Sequence, residues 1–254
     1  MKRTVFTQTL KEQRRGLIGW SAGLAVVPML YLPSYESLKE QGSLDIEQNS
    51  MYDAMGLSDF ASATGFLNST VYSLMGLLLM LIFAVTIATR SAAQEENGTL
   101  DLLLAQPISR TGLLLQRFAA LAVQVTIATA VLTVSVIAGA DAGKLDVETG
   151  NIVAASAGLG LLALLAGAVA LLVGAATGKR SLALGVAALL TVAGYLANNL
   201  GGDWLRKLSP FYYANGDSPL VNGWNGVHLA VLAVAAAVAL TLALVSFDRR
   251  DLAV

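Results

Sequence analysis

The sequence predicts an all-α integral membrane protein with six transmembrane helices. Three observations lead there. Only 13% of the 254 residues are charged, against about 25% in ordinary soluble domains. All of those charges fall outside six windows, 16–35, 60–89, 118–140, 149–178, 181–202 and 218–247, each 20 to 30 residues long. A bilayer core about 30 Å thick is crossed by about 20 helical residues, so each window holds one span. Twelve of the 16 basic residues then fall on one side of the six crossings, as the excess of Lys and Arg in cytoplasmic loops requires.

The same composition excludes other classes. A mean hydropathy of +0.66 excludes a disordered chain. Sixteen basic against 17 acidic residues leave no basic excess for nucleic acid. With no cysteine there is no disulfide scaffold. A charge at a span's centre costs roughly 2.5–3.5 kcal/mol on insertion scales, which explains why the windows are so clean.

The elements follow in order. The arm 1–15 places Val5, Phe6, Thr9 and Leu10 on one helical face and Lys or Arg on much of the rest. It reads as an amphipathic helix lying on the inner membrane surface, with a plain topogenic basic tail as the alternative. Spans are expected at 17–33, 67–89, 112–138, 152–177, 181–200 and 227–247. Pro28 removes one backbone hydrogen bond from the first. The outer loop 34–65 carries one basic and six acidic residues. They are dispersed without metal-ligand spacing, so a solvated cap is expected, with a short helix around Met51, Tyr52, Met55 and Phe60. Trp204, Phe211, Tyr212, Tyr213 and Trp224 crowd the last outer loop and read as an interfacial aromatic belt. Gly19 and Gly23 have the spacing of close helix packing. Both termini fall on the cytoplasmic side.

The inner loop 90–111 carries the most information. Gly98 breaks a polar run. Thr99 opens a short helix with Asp101 in its first turn. Leu100, Leu103 and Leu104 share one face at i, i+3, i+4. Pro107 ends it, and Ser109 is placed to cap the third span. The product is a two-turn amphipathic helix at the cytoplasmic surface. It reads either as a bland surface loop or as a docking element for a cytoplasmic partner.

The run Glu95-Glu96-Asn97-Gly98-Thr99-Leu100-Asp101-Leu102-Leu103-Leu104, followed by Gln106-Pro107-Ile108-Ser109-Arg110, resembles the signature loop of permeases of type-2 ABC exporters. The wider layout is similar too: a basic arm, six spans, and Ser209-Pro210-Phe211 before the last. The resemblance implies that the loop holds a coupling helix seated on a separate ATPase, with Glu95, Glu96, Gly98, Thr99 and Leu100 at its characteristic positions and Leu103 and Leu104 on its apolar face. It implies two cytoplasmic ATPase subunits that carry ATP and Mg, and a second permease half, either a copy of this chain or a paralogue. It also implies a bacterial or archaeal plasma membrane. Spans two and five of such permeases line the solute path, which puts Asn68, Tyr72, Tyr195 and Asn198 near substrate. Interhelical hydrogen bonding is the other reading of those four residues.

No catalytic site, metal site or cofactor is expected in the chain itself. A P-loop needs G-x-x-x-x-G-K-[ST], and the nearest stretch, Gly174 to Arg180, is one residue short with Arg180 where a hydroxyl must hold Mg²⁺. His228 is the only histidine, so neither a metal set nor an intramembrane hydrolase is available. The alternative function is a stand-alone secondary transporter or channel. Ion-coupled carriers usually keep ionisable groups inside the membrane, and the windows hold none but His228.

Overall fold

The computed structural model describes residues 4–42, 62–97 and 109–250. Among them there are helices and turns and no strand. Six helical stretches are long and apolar enough to cross a membrane: Val5–Glu40, Ala63–Glu96, Arg110–Ala142, Thr149–Thr177, Arg180–Leu200 and Gly226–Arg249. Each contains one expected span. The aliphatic residues they turn outward would be anomalous on a water-soluble protein. Leu30, Val134 and Leu189 are each about two-thirds exposed in mid-helix or near a helix end, and a continuous apolar exterior is what lipid solvates.

Helix α1 (Val5–Tyr31) is unbroken. The arm is helical as expected, but it is no separate element, and the boundary expected near residue 16 is absent. The reason lies in helix α6 (Arg110–Ala142), which runs parallel to it. Gln116 Oε1 accepts the Phe6 amide at 3.1 Å, Gln124 Nε2 donates to Gln13 Oε1 at 2.7 Å, and Ser135 Oγ lies 3.5 Å from Leu24 O. The near-constant sequence offset of 110 or 111 means the two helices stay in register from end to end. Gly139 continues the register outward, because a β-carbon there would sit 3.0 Å from Pro28 O. The polar arm is therefore held upright against α6 by glutamines, and does not turn away at the first span. Gly19 and Gly23 have no neighbour within 4 Å, so the close packing expected of them does not occur among the described residues.

Past α1, a 3-10 turn (Leu32–Ser34) leads into helix α2 (Tyr35–Glu40). Lys144 Nζ donates to Glu36 at 2.9 Å, joining the C-terminal ends of the first and third spans. That bond raises the lysine pKa above its usual value. The expected loop helix around Met51 to Phe60 lies outside the described residues.

The second span is three pieces: helix α3 (Ala63–Leu67), a π-helical turn (Asn68–Tyr72) and helix α4 (Met75–Ala88). Helix α5 (Arg90–Glu96) continues it. Helix α7 (Thr149–Thr177) is the hub of the bundle. It touches α4, α6, helix α8 (Arg180–Leu200) and helix α12 (Gly226–Arg249). Glycine and alanine let those helices approach closely. Helix α8 is peripheral and mostly exposed.

Three short helices separate α8 from α12: α9 (Asp203–Leu208), α10 (Pro210–Asn215) and α11 (Pro219–Asn222). Proline suits the first position of α10 and α11, where an N–H has no partner in any case. Ser209 folds this segment back. Its hydroxyl donates to Gly194 O at 2.7 Å and accepts the Phe211 amide at 3.1 Å. On the other side α10 lies so close to α7 that a β-carbon on Gly158 would come within 2.7 Å of Ala214 O. The segment thus re-enters the bundle between α7 and α8.

Candidate functional site

The re-entrant segment, the π-turn, α7 and the C-terminal half of α8 line a cavity of about 280 Å³. Asn68 and Tyr72 reach it from the π-turn, Tyr195, Asn198 and Asn199 from α8, and Arg206 and Asn215 from the re-entrant segment. The four residues expected near a solute path therefore share one wall system. A π-turn changes which side chains face a neighbour. Here both of its end residues line the cavity, with Ser73 N bonding back to Asn68 O at 2.7 Å.

The lining groups differ in what they are free to do. Tyr72 is buried, and its hydroxyl lies 2.8 Å from Ser156 Oγ and donates to Ile152 O at 3.2 Å. It bolts the π-turn to α7, which is the interhelical reading. Asn68 Oδ1 accepts from Asn215 Nδ2 at 2.7 Å, closing the cavity's rim between span two and α10. Tyr195 stacks edge-on against Phe211 at 5.7 Å. Asn198 Nδ2 donates to Asn199 Oδ1 at 2.9 Å. That leaves Asn198 Oδ1 buried without a partner. Arg206 lies over the Tyr212 ring at 5.5 Å. Among the described residues it is the only formally charged one in the lining.

Sequence reasoning missed Asn215, Arg206 and the fold-back itself. Phe211, expected in an interfacial belt, is buried against Tyr195, whereas Trp204 and Trp224 are exposed. A signal was present, because Ser209-Pro210 is a helix-start pair inside an outer loop. Nothing in it specified that the new helix would point inward. A second cavity of about 480 Å³ lies on the other side of Phe211 and Leu162, which wall both. Leu165, Val169, Leu190 and Leu205 make it apolar.

At the opposite end of the bundle, Glu95 and Glu96 close helix α5. Glu95 forms an ion pair with Arg250, and Glu96 accepts the Arg180 amide at 2.8 Å. Both carboxylates therefore bind within the chain. Arg117 is buried and donates to Gln94 Oε1 at 2.6 Å beside a cavity of about 200 Å³ that Glu12, Arg90 and Asn97 also line. Ser109 caps α6 as expected, accepting the Gly112 amide at 3.1 Å. Gly98, Thr99, Leu100, Leu103 and Leu104 lie outside the described residues.

Six helices long and apolar enough to cross a membrane, with a polar cavity lined by the second, fourth and fifth of them, define a polytopic all-α membrane protein. A family model described as the C-terminal domain of the multidrug efflux system permease Rv1217c matches residues 3–248. The chain belongs to that family, and it is a transmembrane permease of the efflux type. No curated protein matches it.

Proposed function

We propose that this chain is the permease subunit of an ATP-driven exporter of the type-2 ABC class. The observation that carries the reading is the polar cavity walled by span two and α8, in a chain of an efflux-permease family. A second permease half, a copy or a paralogue, completes the path. Support for this comes from the family description itself, in which the matched unit is one domain of a longer permease. Two cytoplasmic ATPase subunits bind ATP and Mg and dock on the 90–111 loop. Both termini are cytoplasmic, in the plasma membrane of a bacterium or archaeon. Closure of the ATPases pushes on the loop and shifts the halves between two states, by differential affinity for each.

The cavity favours a particular kind of solute. With Arg206 as the one formal charge among its described lining residues and amide groups on several walls, it suits a hydrogen-bonding part that is uncharged or anionic. The apolar cavity beyond Phe211 suits an apolar body. An amphiphile without positive charge is the class we assign.

Transport into proteoliposomes separates this function from a carrier or channel. With the ATPase subunits present, solute should move only on adding ATP and Mg. The chain alone should be inert under any ion gradient. Movement by the chain alone would replace the exporter with a secondary transporter or channel.

A further inference from the structure

Both flanks of the 98–108 segment meet one residue at the far end of the chain. On the near flank, the Arg250 guanidinium pairs with Glu95 through Nη2 while Nη1 donates to Ala175 O, in the last turn of α7, at 3.0 Å. On the far flank, Arg110 Nη1 donates to the Arg250 carbonyl oxygen at 2.9 Å. Beside this, Glu96 accepts the amide of Arg180, the first residue of α8. That amide has no acceptor inside its own helix. Gly178 makes the junction possible. It turns the chain with φ +68 between α7 and α8, and a β-carbon there would collide with both Arg250 and Glu95.

A basic residue that merely sets topology needs no partner. Arg250 has three, drawn from α5, α6 and α7, and its side chain is only 22% exposed. The planar guanidinium fork can hold a carboxylate and a carbonyl together, which a lysine ammonium cannot do in the same fixed geometry. The turn it clamps begins α8, a rigid rod about 30 Å long whose outer half carries Tyr195 and Asn198 in the cavity wall.

We propose that Arg250 is a positioning residue that locks both flanks of the 98–108 segment onto the α7–α8 turn, so that force on the segment is delivered to α8 through Glu96. This rests on the exporter reading for its purpose, but not for its geometry. Without the clamp, the two flanks yield under load and α8 stays where it is. ATP is then hydrolysed without matching transport.

The chain contains no cysteine, so spin labels at Asn97→Cys and Lys179→Cys report the clamp directly in the full chain in lipid nanodiscs. Arg250→Ala should broaden the distance distribution about twofold, Arg250→Lys by less. In the complex with its ATPase subunits, Arg250→Ala should lower transport per ATP about tenfold while ATPase association stays within twofold of wild type. Arg110→Ala, which keeps the Glu95 pair, should give an intermediate loss. An unchanged distribution in Arg250→Ala overturns the clamp. A broadened one with transport per ATP retained overturns the positioning role. If the wild-type chain binds no ATPase, the exporter reading fails, and the label widths still decide whether Arg250 clamps the segment.

Discussion

Tyr72 and Asn68 belong to one π-turn and line one cavity, yet their hydrogen bonds assign them different work. Tyr72 is committed to Ser156 and Ile152. Hydrogen bonds between membrane helices average about 0.6 kcal/mol and reach about 1.7. Tyr72→Phe should therefore lower unfolding stability by about 1 kcal/mol and leave the KM for transported solute unchanged. Asn68 holds the cavity rim through Asn215. Asn68→Ala should raise that KM severalfold with little change in stability. The two assignments fail together if the Tyr72 variant shifts KM and the Asn68 variant does not. Glu95 and Glu96 bear the same lesson. Their place in the signature run was readable from the sequence, but their use within the chain was not, because Arg250 and Arg180 are remote in sequence.

Helices were the easiest feature to read. Charge-free length marked six, and Ser109 marked where one begins. Where the elements surprised, the cause was a neighbour. Span two breaks at Asn68–Tyr72, and the arm stays upright because Gln116 and Gln124 receive it. Glycines test this directly. Gly158 and Gly19 are alike in sequence terms, both helical and both in small-residue stretches. A β-carbon at Gly158 meets Ala214 O at 2.7 Å, and one at Gly19 meets nothing. Gly158→Val should cost about 1–3 kcal/mol by overpacking and abolish transport by displacing α10. Gly19→Ala should change stability by at most about 1 kcal/mol, and in the stabilising direction. Thermal unfolding in detergent measures both. Equal effects at the two sites would remove the re-entrant contact from the account.

For the whole molecule, topology and coupling are the open measurements. Single cysteines at Asp45 and Lys179 should be labelled from opposite faces of the membrane, and labelling of both from one face would sink the six-span arrangement. Gly98→Leu, at the head of the loop, should leave insertion intact and lower ATPase stimulation by tenfold or more. Wild-type stimulation in that variant would detach the loop from the exporter reading.

The sequence by itself determined the class of molecule and marked the segments long and apolar enough to span. Hydrophobicity and charge are local properties, and a bilayer sorts segments by them one at a time. It also marked the residues able to carry polar contacts in an apolar setting, Asn68, Tyr72, Tyr195 and Asn198 among them. Only the tertiary structure decided which of these meet, that α10 turns inward between α7 and α8, and that Arg250 reaches Glu95. Inside a membrane, helix association depends on close packing and a few hydrogen bonds more than on hydrophobicity. Those contacts are made between residues far apart in the chain, so no local pattern records them.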